Sequence, residues 1–222
     1  MMDILKEKST QAVKIQLFDL KGNKIKDLNA PGNKGMNRVY WGLDQNPPKV
    51  AVGGFIAGST VLFASVIGPR APIGTYKAVL QIGDLKKEQL IQLQENPADG
   101  FSAANIQLLH TQAMRLFKLE EQLYNLCDTL DKQIASLKKN ASRTSKEDSQ
   151  LQELEKFRAE IIETNRKTVF FDEFKYRRRL SDVYVAVCTA LEPFSPSKLG
   201  AIEALEKEFA DLQSRFKQLR SL

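Results

Sequence analysis

The chain has little of what most catalytic and metal-binding domains need. Among 222 residues there are one histidine, His110, and two cysteines, Cys127 and Cys188. That excludes a Cys/His zinc module and a disulfide-framework domain, and it argues against a His-based catalytic triad. No Gly-rich phosphate loop and no metal-ligand spacing occurs, so neither a cofactor nor a metal is expected. The N-terminus, Met1-Met2-Asp3-Ile4-Leu5-Lys6, has no apolar h-region or cleavage site and does not read as a signal peptide. Apolar residues at 42% and charged residues at 27% match a folded globular chain, which excludes wholesale disorder.

Glycine and proline are scarce in one half only. Eleven of the twelve glycines lie at or before Gly100, and six of the eight prolines at or before Pro97. Beyond Asn96-Pro97-Ala98-Asp99-Gly100 the chain is rich in Leu, Glu, Lys and Gln, which favour helix. This division predicts an α+β chain: an antiparallel β-sandwich over 10–96, a short linker, and an antiparallel helical bundle or coiled coil of about four helices over 101–222. The net charge of +6 divides unequally, with about +5 in residues 1–98 and about +1 in 99–222.

In the first part Val13, Ile15 and Leu17 alternate with Lys14 and Gln16, and Lys24–Leu28 reads as the return strand after Leu20-Lys21-Gly22-Asn23. Val39, Trp41 and Leu43 alternate with Arg38, Tyr40 and Gly42, predicting another strand. Thr75–Ile82 is the clearest strand, and Gly83-Asp84 opens a hairpin into Gln89–Gln94. Val50–Gly68 holds 19 residues without a charge between Lys49 and Arg70. Its length permits a membrane span, but Gly53, Gly54, Gly58, Ser59 and Thr60 and the prolines at its ends favour two buried strands joined near Gly58-Ser59.

The second part is periodic. Leu109, Leu116, Leu123, Leu130 and Leu137 recur every seven residues, with Ala113, Cys127 and Ile134 between them, predicting a helix over about 102–139. Ser145 with Asp148 suggests a capping box for a helix over about 147–168. A third helix is expected from near Asp172, with Tyr176, Leu180, Val183, Val187 and Ala190 inward. A fourth, capped by Ser195 with Pro196 first, carries Ile202, Leu205, Phe209, Leu212, Phe216 and Leu219.

Five sets of residues carry the family resemblance. Ile15-Gln16-Leu17-Phe18-Asp19 precedes Gly22-Asn23 as a strand precedes a D-x-x-G turn. Gly35-Met36-Asn37-Arg38-Val39-Tyr40-Trp41-Gly42-Leu43 is similar to G-x-N-x-x-x-W-D-L, and Gly68-Pro69-Arg70-Ala71-Pro72-Ile73-Gly74-Thr75-Tyr76 to G-P-x-x-x-P-G-T-Y. Asn96-Pro97 stands where D-P closes the β-domain, and Leu180-Ser181-Asp182-Val183-Tyr184 resembles L-x-x-L-Y. Together they resemble the C-terminal region of large bacterial BNR-repeat proteins, the sialidase- or sortilin-like "glycosyl hydrolase" propellers, in which an immunoglobulin-like domain and a helical tail follow the propeller. Gly42 replaces the usual Asp and Ile73 the usual Pro. The propeller itself is missing, with no S-x-D-x-G-x-T-W box, so its catalytic site is not carried over. The resemblance implies an immunoglobulin-like sandwich, a periplasmic or extracellular setting, and a non-catalytic accessory role, supporting a propeller or binding a protein partner.

Each candidate for chemistry has a plainer reading beside it. Trp41 and Tyr76 fit a sandwich core better than a sugar platform. Tyr40, with Arg38, is the more open candidate for ligand contact, and a carbohydrate-binding module on the sandwich face is the alternative function. Self-association through the helical seams is the third. His110 has no second histidine and reads as structural. Cys127 and Cys188 could pair, but buried thiols are favoured. Lys175, Arg177, Arg178 and Arg179 form the densest basic run, yet Asp172, Glu173 and Asp182 dilute it, favouring a solvated helix face over phosphate contact. Residues 98–105 hold no base, which excludes a leucine-zipper DNA binder and leaves no nucleic-acid partner expected. Asp27, Asp44, Glu203, Glu206 and Glu208 could be forced into a carboxylate pair. Balance against Lys207 and Arg215 is the plainer expectation, and no catalytic residue is assigned.

Overall fold

A computed structural model describes residues 2–51, 60–96, 100, 102–162 and 174–220. It is an α+β structure with a four-stranded antiparallel sheet, a two-stranded one and, among the described residues, five helices. The chain divides into two compact units, one of residues 1–46 and 68–110 and one of residues 47–67 and 111–222. No helix among the described residues is long and apolar enough to cross a membrane.

In the first unit β1 (Met2–Leu5) pairs with β4 (Gly35–Arg38), while β2 (Val13–Phe18), β3 (Lys24–Ala30), β5 (Gly74–Ile82) and β6 (Leu85–Leu93) form a sheet in the order β3-β2-β5-β6. The alternation read from the sequence sets its faces. Val13, Ile15 and Leu17 are buried, and Ile15 stands opposite Leu28 on one side and Leu80 on the other. On the other face the Gln16 amide donates to Asp27 across β2 and β3 at 3.0 Å. Ile82 and Leu85 close the β5–β6 ladder around the two-residue loop Gly83-Asp84. Gly83 lies at φ +55°, where a side chain is disfavoured.

Two strand expectations need correction. Residues 39–43 are not a strand, although their alternation survives in burial: Val39 is buried, Tyr40 exposed and Trp41 half-buried. Leu43 turns into the left-handed region at φ +58°, and the Trp41 indole donates to the Asp44 carbonyl at 2.7 Å, so the segment is held as a turn. Within 50–68, Thr60–Ala64 is a short helix, α1, grouped with the second unit and packed on a helix there. The joint expected near Gly58-Ser59 lies outside the described residues.

Gly68 and Tyr76 show what the G-P…G-T-Y motif does physically. The Gln45 amide donates to the Pro69 carbonyl and the Ala71 amide to the Leu43 carbonyl, at 2.8 and 2.7 Å. A β-carbon on Gly68 would stand 1.8 Å from the Gln45 carbonyl oxygen, so only glycine permits this approach. Tyr76 buries its ring edge-on to Trp41 at 5.4 Å and donates its hydroxyl to the Pro72 carbonyl at 2.6 Å. Asn37, also buried, accepts from the Asn33 amide and donates to the Asn33 and Gly35 carbonyls. The core expectation for Trp41 and Tyr76 is thus met, and Asn37 satisfies the main chain of its loop.

Four long elements follow the linker: α2 (Ala103–Lys139), α3 (Ser145–Ile161), α4 (Tyr176–Cys188) and α5 (Pro196–Arg220). Leu116, Leu123 and Leu130 are fully buried, as their spacing predicts. The ring of Phe157 stacks on Phe216 and that of Tyr176 on Phe209, joining α3 and α4 to α5. The capping box of α3 sits one residue before the expected pair. Thr144 accepts from the Glu147 amide at 3.3 Å and Glu147 accepts from the Thr144 amide at 2.7 Å. Asp148 pairs with Arg143 instead. Helix α3 ends at Ile161, where extended Ile162 follows, and its expected continuation to 168 and the expected α4 start at Asp172 lie outside the described residues.

A Gly68→Ala substitution is expected to destabilise the β unit by about 2 kcal/mol or more, because a backbone carbonyl cannot yield as a side chain can. Urea unfolding followed by emission of Trp41, the only tryptophan, measures it. An unchanged midpoint would contradict the close approach.

Candidate functional site

Three places gather polar or open chemistry. The first is a concavity of about 470 Å³ in the β unit, lined by Ile15, Val39, Ala78, Leu80 and Ile91 and by the polar Lys87, Glu88 and Gln89. It lies beside the apolar cluster of Ile15, Leu17, Val39 and Ala78, against which Leu80 and Ile91 pack. Its size suits a small ligand or a few side chains, and its walls are mostly apolar.

The second is the Tyr40–Arg38 pair. The alternation places both on one side of the segment, and the Arg38 guanidinium donates to the Tyr40 hydroxyl at 3.2 Å. Tyr40 is 77% exposed. The structure therefore brings these two expected contact residues together.

The third lies in the helical unit, on α4. The basic run does not form one solvated face. Arg177 is 1% exposed and donates to the Ala51 carbonyl at 3.2 Å. Arg178 pairs with Asp182 one turn on, and Arg179 forms a bidentate pair with Glu208 of α5, at 2.8 and 2.6 Å. Lys175 occupies the N-cap. The three guanidiniums point to three different partners because α4 buries a face wide enough to take in positions 176, 177, 180, 181, 184 and 187.

Beside Arg177 lies Glu120 of α2, fully buried, accepting from the Ser181 hydroxyl at 2.8 Å. Burial pushes its carboxyl up to about 7, against the lowering effects of the Ser181 hydrogen bond and the Arg177 charge. Its second oxygen has no hydrogen-bond partner among the described residues. Glu120 was not among the expected site residues. The signal was present: positions 113, 116, 120, 123, 127, 130 and 134 alternate in steps of three and four, and Glu120 is the charged residue in that seam. The same cluster fastens the 47–67 segment. The Tyr184 hydroxyl donates to the Ile67 carbonyl at 2.9 Å, Thr60 bonds to Asp182, and α1 packs on α4.

The remaining candidates are engaged structurally. His110 places Nδ1 2.9 Å from the Arg70 carbonyl, which makes Nδ1 the protonated nitrogen of the neutral ring. Burial lowers its pKa more than that hydrogen bond raises it. Asp27 is held low by the Lys24 ammonium, against partial burial, with help from Gln16 and Asn46. Asp44 pairs with Lys26. Glu206 takes Arg115 at 2.8 and 2.6 Å, so Glu206 and Glu208 balance arginines of α2 and α4, not Lys207 and Arg215 of their own helix. Arg215 pairs with Glu160 of α3. Cys127 and Cys188 form no disulfide with each other, and burial foremost, with Asp131 adding to it, pushes the Cys127 thiol up to about 12, far from a nucleophile.

Glu120 titrates higher folded than unfolded, so its stabilising contribution is full below pH 4.5 and is lost as the pH rises through about 7. Relative to Glu120→Gln, the helical unit of the natural chain is expected to lose about 3 kcal/mol between pH 4.5 and pH 8, read by urea titration of helical circular dichroism. A pH-independent difference would contradict the burial. His110 acts oppositely: its contribution to the β unit is full above pH 6.5 and is lost as pH falls, a dependence expected to vanish in His110→Gln when Trp41 emission is followed.

Comparison with protein-family models, with curated proteins and with solved structures finds no match to this chain.

Proposed function

We propose that the chain is a non-catalytic interaction protein whose β unit, an immunoglobulin-like sandwich, binds a protein partner and whose helices form an antiparallel bundle. The role is of the kind filled by the accessory region of BNR-repeat propeller proteins, where the partner is the propeller. One observation carries the reading: the open, mostly apolar concavity beside Ile15, Val39 and Leu80 lies in a unit where Asp27, Asp44 and His110 are engaged by structural partners. A mostly apolar concavity whose one carboxylate, Glu88, is paired with Lys77 favours binding over turnover. The motif residues Gly68, Tyr76 and Asn37 support the same role, since each serves the main chain.

A second reading, a carbohydrate-binding module, rests on Tyr40. Its exposed ring, with Arg38 fixed at its hydroxyl, is suited to stack on a sugar and to hydrogen-bond it.

Purified full chain is expected to release no product from aryl sialosides or aryl glucosides and to leave a glycan array blank. Hydrolysis would overturn the non-catalytic reading. Array binding lost in Tyr40→Ala would replace protein binding with the carbohydrate reading.

A further inference from the structure

The strand order leaves β6 at the edge of the sheet. Its nine residues, Leu85–Leu93, span about 30 Å. Among the described residues they make no backbone hydrogen bond apart from the ladder with β5. Such an edge is a template for one more strand. Pairing also sorts the faces of β6. Lys87, Gln89 and Ile91 stand opposite Leu80, Ala78 and Tyr76 and, with Glu88, line the concavity, whereas Lys86 and Leu90 do not. Edge and concavity are therefore continuous: a chain pairing with β6 would send every second side chain toward the space beside Leu80 and Ile91.

Charge distinguishes the occupant. Glu88 is taken by Lys77 across the ladder, at 3.3 Å. Lys87, exposed at the rim of an apolar groove, has no ion-pair partner among the described residues. Edge lysines repel casual pairing and admit a strand that brings the opposite charge. A second copy of β6 supplies further lysines, and its Glu88 is already paired, so the complementary strand belongs to another protein.

Building on the protein-binding reading above, we infer that β6 and its groove receive one extended strand of a partner, apolar at alternate positions and bearing a carboxylate opposite Lys87. Main-chain bonds to the edge supply affinity, and the groove and Lys87 supply selectivity.

The full chain, panned against a random dodecapeptide library, is expected to select peptides with alternating apolar residues and an Asp or Glu. In amide exchange, a synthetic selected peptide is expected to protect Leu85–Leu93. Lys87→Glu, a change at an exposed position, is expected to weaken that peptide at least tenfold with Trp41 emission unchanged, and Gln89→Trp, which fills the groove, is expected to do the same. Equal affinity in both variants would overturn the assignment, as would protection confined to other residues, failure to select any peptide, or a dimer in solution that blocks the edge. Protection elsewhere would leave the protein-binding reading standing, whereas glycoside hydrolysis would remove that reading whatever the peptides do.

Discussion

A guanidinium sealed from water constrains the helical unit more than any other group. Arg177 cannot shed its proton, so its burial must be answered by acceptors and by negative charge. The Ala51 carbonyl answers one nitrogen, and the Arg177 charge also reaches Glu120, whose burial outweighs it and holds the carboxyl up near 7. Glu120 in turn needs Ser181, one turn along α4 from Arg177. This fixes how α4 faces α2, and it draws the 47–67 segment onto α4, where Tyr184 and Asp182 take the Ile67 carbonyl and Thr60. Rows of leucine and phenylalanine give the unit its area, but such rows tolerate sliding. A buried charge with defined partners does not, which is how a polar core selects one arrangement.

The β unit solves a parallel problem with neutral groups. Its irregular segments, 43–46 and 68–72, run against each other through main-chain bonds and through the Tyr76 and Trp41 donors. Glycine at 68 is required by distance alone, since its neighbour is backbone. Once these segments are placed, Trp41 packs against both apolar clusters of the unit, one around Ile15 and Leu17 and the other around Ile25 and Tyr76. Ile91 and Leu93 of β6 pack against the same clusters, and the groove lies beside Ile91.

Patterns with one period were legible in the sequence. Alternation located β2, β5 and their buried faces, and the seven-residue leucine row located α2. Residues that serve two masters were harder. Residues 39–43 alternate as a strand does, yet Leu43 turns left-handed and the Trp41 donor closes a turn. The basic run reads as a solvated face because its charge is local in sequence, while its partners Glu208, Ala51 and Glu120 are distant. Glu120 was hidden for the opposite reason, a charged residue standing in an apolar row. The groove depends on which strand ends up at the sheet edge, and no local pattern encodes that.

The two units thus differ, one holding a buried charge, the other leaving a strand edge and a groove open. The buried charge is the part on which the account stands, and carbon-detected NMR titration of the Glu120 carboxyl in the intact chain tests it most directly. The account predicts a midpoint near 7. A midpoint at or below 4.5 would mean that the carboxylate is solvated or fully ion-paired and would contradict it.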